Sequence, residues 1–254
     1  VSIIYEPKGR AAEYAQLAAN LFIGCSHGCR FPCYAAGLVR KTPEQFALDP
    51  HPRKDILKLL ERDARALAGD PRHIHLCFTC DSYQPGEAEW GITRQAIKTL
   101  LANQLKVEIL TKGGELAERD LDLLASTPGN RFGITLTTLA RARAADMEPG
   151  AALPLKRFQA LKKAKAMGIG TKVSLEPVIW PGDSLAIILS THEHVDHFAV
   201  GKWNAGSAGC GIDWPGVRYS AVTLLETLGF RRLRDPHAPR RGRTYYIKKD
   251  LETA

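Results

Sequence analysis

The chain contains no apolar run approaching the about 18 residues that a bilayer-spanning helix needs, which excludes a membrane span as its organising feature. The N-terminal patch Val1-Ser2-Ile3-Ile4-Tyr5 is too short for the apolar core of a secretory signal. Low-complexity tracts and short internal repeats are missing, which excludes a disordered linker or a solenoid. Cysteine is sparse and unevenly placed: six in 254 residues, three of them within nine positions. That distribution argues for metal rather than disulfides, and for a reducing cytoplasm as the expected location. Acidic residues are the scarcer charge, 27 against 35 Lys and Arg, and the net charge of +8 points to an anionic partner, nucleic acid among them.

At 254 residues, with 44% hydrophobic and 24% charged residues, the chain is long enough for one α/β barrel. Ala18–Gly24 reads as a short strand, and 53–68 has the apolar spacing of a helix, with Lys54, Lys58, Arg62 and Arg65 on a solvated face. His73–Cys80 is a second strand, followed by a turn and a helix from Glu87 to about Asn103. Strands are expected at 106–111, 131–138, 171–178 and 194–203, and helices at 115–126 and 154–167, the last ended by Gly168. Strands alternating with helices imply a parallel sheet with crossover helices. In barrels of this kind the active groups sit at the C-terminal ends of the strands. Polar residues fall there: Cys80-Asp81, Thr111-Lys112, Thr137-Thr138, Glu176, and Lys202 with Asn204.

The stretch with the clearest chemistry is Cys25-Ser26-His27-Gly28-Cys29-Arg30-Phe31-Pro32-Cys33. Three thiolates so close suit one soft metal centre, and iron–sulfur clusters are held through cysteine sulfur. Three ligands are one short of a closed site, so one iron is left for a non-protein ligand. Zinc loops, by contrast, usually supply four ligands in two paired groups.

Residues 20–31 resemble the cluster loop of radical S-adenosylmethionine (radical SAM) enzymes, most of all the branch related to spore photoproduct lyase. The usual spacing there is Cys-x3-Cys-x2-Cys. Here the second gap is three residues, with Pro32 standing between the aromatic Phe31 and Cys33. Similarity to that branch extends to 3–10, to Asp81-x-Tyr83-Gln84-Pro85-x-Glu87, to Glu148-Pro149-Gly150-Ala151, to Leu175-Glu176-Pro177-Val178 and to 245–251.

The resemblance implies a partial (β/α)6 TIM-like barrel over 1–204, with a C-terminal helix and basic hairpin in 205–254. It implies a [4Fe-4S] cluster on Cys25, Cys29 and Cys33, with S-adenosyl-L-methionine on the open iron. Lys112 is then expected at the carboxylate of that cofactor, and Thr79, Asp81 or Ser82 at its amino group. Thr135, Thr137, Ser174 and Glu176 are expected at the ribose, and Phe31 on the adenine. Cys80, or Cys77 if the register differs, matches the hydrogen-atom donor of the photoproduct lyases, and Glu148 is expected over the barrel mouth near substrate. The implied substrate is a nucleobase in DNA or RNA, with a peptide or small molecule as the alternative. The implied electron donor is a flavodoxin or ferredoxin. A nucleic acid would meet the basic tail Arg240-Arg241-Gly242-Arg243. Cys210 is a further possible ligand.

One motif points elsewhere. Thr191-His192-Glu193-His194-Val195-Asp196-His197 matches the zinc signature of metallo-β-lactamase-like hydrolases. That fold needs more ligands downstream, and only His237 follows.

Overall fold

The computed structural model describes residues 2–31, 33–203 and 211–253. Pro32, Asn204, Cys210 and the 204/205 boundary fall outside them. Among the described residues eleven strands form: β1 (Ile4–Tyr5), β2 (Leu17–Ala19), β3 (Phe22–Ile23), β4 (His51–Pro52), β5 (His73–Leu76), β6 (Lys106–Thr111), β7 (Arg131–Thr135), β8 (Gly170–Leu175), β9 (His197–Val200), β10 (Arg231–Arg232) and β11 (Thr244–Ile247). Nine make one sheet in the order β1-β2-β5-β6-β7-β8-β9-β11-β10, and β3 and β4 make a separate antiparallel ribbon. Only β1 runs antiparallel within the large sheet. The six strands β2 to β9 of that sheet, joined through helices, are the expected partial barrel, α/β and mostly parallel.

Side chains alternate across each strand, and the period-two pattern divides the barrel. Ile74, Val107, Ile109, Phe132, Ile134, Val173 and Phe198 are wholly buried in one apolar core shared with the helices. Their alternates, His75, Glu108, Arg131, Lys172 and His197, make a charged layer between the strands, and Leu110, Thr135 and Ser174 lie nearer the C-terminal mouth. The helix Pro154–Ala166 starts on Pro154, buries Arg157, Ala160, Leu161 and Ala164 at helical spacing, and is followed by Gly168 at φ +76°.

Several expected elements are shorter or broken. The strand after His73 stops at Leu76, because Cys77 turns to φ 70° and the side-chain oxygen of Asn20 accepts from the backbone N–H of Phe78 (2.8 Å) and Thr79 (2.9 Å) in place of a ladder. The single helix expected from Glu87 is two, Glu87–Trp90 and Ile92–Ala102, divided at Gly91 (φ 61°). The Glu87 carboxylate accepts from Ile92 N (3.1 Å) and Thr93 N (2.9 Å) and so caps the second helix. The helix expected over 115–126 is likewise divided, at Arg119 and Asp120.

The tail is not a hairpin. β11 pairs in parallel with β9 (Tyr245 beside Phe198) and β10 in parallel with β11 (Arg231 beside Thr244). All four residues of β11 are buried, so this strand gains more against β9 in the core than it would in an exposed two-stranded ribbon. The tail therefore extends the barrel sheet.

Candidate active site at the barrel mouth

The cysteine loop is fastened from three sides. Cys25 N donates to Phe46 O (3.3 Å), Ser26 N to the Gln84 side-chain oxygen (2.9 Å), and Arg30 N to Met147 O (2.8 Å). Gly150 N donates to His27 O (2.9 Å), and the His27 ring bridges Gly150 O (Nδ1, 3.1 Å) and Asp81 Oδ2 (Nε2, 3.1 Å). The approach at Gly150 leaves no room for a side chain: a Cβ there would stand 2.1 Å from Ser26 O. Segment 147–150, which the sequence placed over the mouth, is thus a clamp on the cysteine loop.

Cys25, Cys29 and Cys33 are free thiols that line one cavity of about 410 Å³ at the C-terminal ends of the strands. Phe31, Cys77, Cys80, Asp81, Lys112, Thr135, Ser174 and Glu176 line it too. Burial raises the Cys25 thiol well above its ordinary pKa and pushes Cys29 up to about 11, the latter against the attraction of Lys112. Free, these thiols hold their protons; metal coordination would remove them. The Lys112 ammonium lies 3.6 Å from Cys29 Sγ, 3.3 Å from Glu148 Oε1 and 4.8 Å from the Phe31 ring centre. Burial works against its charge, but Cys29 and Glu148 outweigh that and hold its pKa above the ordinary value. Among the described residues no three His, Cys, Asp or Glu side chains converge on a single metal ion. A cubane cluster does not need them to, since each thiolate binds a separate iron. The chemistry of the donor set, three free thiols and a neighbouring ammonium to balance an anionic cluster, therefore fits a [4Fe–4S] group and not a lone zinc ion.

Five expected site residues lie outside the cavity or are engaged by protein partners. Glu148 is buried, and its carboxylate faces Arg157 (2.6 Å), Lys112 and Thr137 (3.4 Å) instead of the cavity, so its contact here is with Lys112. Ser82 is buried and donates its hydroxyl to Leu76 O (3.1 Å), and the Thr137 hydroxyl is spent on Glu148; neither lines the cavity. Thr79 lies in the loop after β5 and does not line the cavity either. Asp81 does line it, but its carboxylate already accepts from Thr111 Oγ1 (2.5 Å), Tyr83 N (2.8 Å) and Lys112 N (2.9 Å) as well as facing His27. These partners overcome its burial and keep it ionised well below the usual range. Asp81 pins the cysteine loop to the ends of β5 and β6.

Other lining residues were not singled out from sequence. Glu176 receives Arg10 (2.6 Å) and the Tyr14 hydroxyl, with Lys248 Nζ at 3.4 Å. Tyr14 also shares a hydrogen bond with Ser174 Oγ (2.8 Å), and Lys248 lies over its ring at 4.1 Å. Arg10 and Tyr14 come from the N-terminal lead-in and Lys248 from the tail, so no local pattern links them. Family similarity in 3–10 and 245–251 was the available signal for Arg10 and Lys248, and none marked Tyr14.

The zinc-signature residues are elsewhere. They precede or begin β9, at the opposite end of the barrel from the cysteines. Asp196 is bound by Lys165 and by Thr171 N (2.9 Å), His197 by Thr244 Oγ1 (2.9 Å), and His192 Nδ1 by Leu189 O (2.9 Å). Together with the absence of a metal-ion cluster among the described residues, this overturns the hydrolase alternative.

The basic tail is corrected as well. Arg240 is turned inward, 3.7 Å from Glu108, and Arg243 lies over the Phe230 ring and donates to His192 O (3.0 Å). Only Arg241 of the three is exposed.

Comparison with known proteins agrees with this geometry. The family model described as the radical SAM superfamily matches residues 19–195. An uncharacterized protein of Methanocaldococcus jannaschii is 25% identical over 166 residues, covering 65% of this chain and 61% of that protein. A structure of Streptococcus suis SuiB bound to S-adenosylmethionine is similar with a TM-score of 0.65 and 13% identity, over 93% of this chain and 51% of that one. A spore photoproduct lyase complexed with dinucleoside spore photoproduct is similar with a TM-score of 0.65 and 13% identity, over 96% of this chain and 78% of that one. The chain thus spans about three fifths of the M. jannaschii protein and half of SuiB. The family's cofactors are a [4Fe–4S] cluster and S-adenosylmethionine, which the three-thiol cavity suits, and the chain belongs to the radical SAM superfamily.

Proposed function

We propose that this chain is the catalytic barrel of a radical SAM enzyme acting on a nucleobase in DNA or RNA. The observation that carries the first part is the meeting of Cys25, Cys29, Cys33 and Lys112 in one cavity at the C-terminal ends of parallel strands. When bound, the cluster supplies one electron that cleaves S-adenosylmethionine to methionine and a 5′-deoxyadenosyl radical. The chain's own residues hold and orient. Cys25, Cys29 and Cys33 would ligate the cluster; Lys112, fixed by Glu148, would offer its ammonium to the cofactor carboxylate; Ser174, Thr135 and Glu176 would serve the ribose, and Phe31 the adenine. Cys80, or Cys77 in its stead, both in the cavity lining, would be the source of a hydrogen atom. A small flavodoxin or ferredoxin is the electron donor.

Support for a nucleic-acid substrate has moved from the tail to the mouth. Tyr34, Ala35 and Leu38 of the short helix Tyr34–Leu38 line the cavity, and the exposed Arg30, Arg40 and Lys41 flank that helix, with Lys8 on the rim. Such a basic rim suits phosphate contacts.

The test is anaerobic reconstitution with iron and sulfide, EPR with and without S-adenosylmethionine, and an assay for 5′-deoxyadenosine. A cluster signal that shifts with S-adenosylmethionine, and product lost in Cys29→Ala, is the expected result; a protein that takes zinc and no iron refutes the proposal. For the substrate, a short oligonucleotide should bind with a salt dependence that weakens in Arg40→Ala/Lys41→Ala. Binding absent or unchanged refutes the nucleobase and turns attention to a peptide.

A further inference from the structure

The N-terminal end of the barrel holds a second cavity, of about 290 Å³, lined by Arg131, Thr171, Asp196, His197, Arg240 and Arg243. Arg131 and His197 open β7 and β9, and Thr171 is the second residue of β8. The loop between β10 and β11 crosses this end and turns Arg240 inward, leaving its side chain 11% exposed.

The cations here outnumber their partners. Glu108 Oε1 receives Lys172 at 2.9 Å and Glu108 Oε2 faces Arg131 at 3.3 Å. Arg240, at 3.7 Å from the already engaged Oε1, is beyond ordinary hydrogen-bond distance. The carboxylate of Asp196 is spent on Lys165, Thr171 N and Thr171 Oγ1. Arg243 has a backbone carbonyl and an aromatic ring, but no carboxylate. Five cations therefore share two carboxylates. His197 is buried on Thr244, and its burial disfavours a further charge. A buried guanidinium without a full partner is costly, and its planar fork fits the oxygens of a phosphate.

We propose that the foot of the barrel binds a phosphate group, as free phosphate or as the phosphate of a nucleotide, between Arg131, Arg240 and Arg243. Occupancy would join the tail loop to the starts of β7 and β9, at the end of the barrel away from the cysteines.

The experiment is titration of the full chain with inorganic phosphate at fixed ionic strength, by calorimetry and thermal unfolding, against chloride. Saturable binding that raises Tm is expected, weakened about tenfold or more in Arg240→Gln and in Arg243→Gln. Arg241→Gln, an exposed neighbour, should bind as the parent does. Adenosine 5′-monophosphate binding more tightly than phosphate, with the same Arg243 dependence, assigns a nucleotide; equal binding assigns free phosphate. No saturable phosphate effect overturns the proposal, as does equal weakening by Arg241→Gln. If Arg240→Gln does not fold, Arg243→Gln decides alone, and undiminished affinity in it refutes the site.

Discussion

Replacing Glu148 by Gln keeps the shape of the side chain and removes its charge. In the native protein that buried carboxylate stands 2.6 Å from Arg157 and 3.3 Å from Lys112, both largely shielded from water. Arg157 also donates to Ala152 O (2.6 Å) and Thr135 O (3.0 Å), so it cannot swing out to solvent without breaking the start of its helix from the end of β7. Breaking a buried pair by removing one partner costs about 3–5 kcal/mol, because the remaining charge is left uncompensated. For a domain of this size each kcal/mol moves Tm by about 2–4 °C, so a fall of about 10 °C is expected. The assay is thermal and urea unfolding of the apo protein, which needs no cluster. Arg157→Met made in the Glu148→Gln background should recover part of the loss, since one of the two stranded cations is then gone. Loss below about 1 kcal/mol in the single variant, or full additivity in the pair, would refute the view that Glu148 neutralises buried cations.

Further outcomes follow from the same structure. Gly150→Ala should displace the cysteine loop, because its Cβ would stand 2.1 Å from Ser26 O; iron uptake on reconstitution should fall while the far-UV spectrum stays native, and unchanged iron content would count against the clamp. Asp63 accepts from Ser2, from Arg62 and from the backbone of Ile3 and Ile4; these bonds overcome its burial and hold its pKa at about 2. Its folded pKa lies below the unfolded value of about 3.9, so its stabilisation is present above pH 4 and is lost as pH falls through 2. Asp63→Asn should flatten that acid limb of the Tm profile, and an unaltered limb would refute the assignment. His192→Ala should leave metal content and 5′-deoxyadenosine formation as in the parent, since that ring bonds the carbonyl of Leu189 at the end of the preceding helix; loss of either would revive the zinc motif.

The sequence alone determined the order of the barrel strands, because that rests on local signals, and it pointed to the class through a family resemblance. Three cysteines within nine residues, two-residue alternation such as Val107-Glu108-Ile109, and a helix opened by Pro154 and followed by Gly168 are each read from neighbours along the chain. Where a distant partner replaces a local bond, that legibility ends. Asn20 stops the strand at Leu76, and Glu87 caps a new helix after Gly91. Only tertiary structure decided that β11 lies beside β9, because a strand's pairing depends on which distant edge best buries Tyr245 and Ile247. It also decided the roles of polar residues. Asp81 and Glu148 have the composition of ligand-binding groups, yet their carboxylates are consumed by His27, Thr111, Lys112 and Arg157, drawn from three separate segments. What a charged side chain can do depends on the partners folding brings to it, and pairing across the barrel is not encoded at either residue by itself.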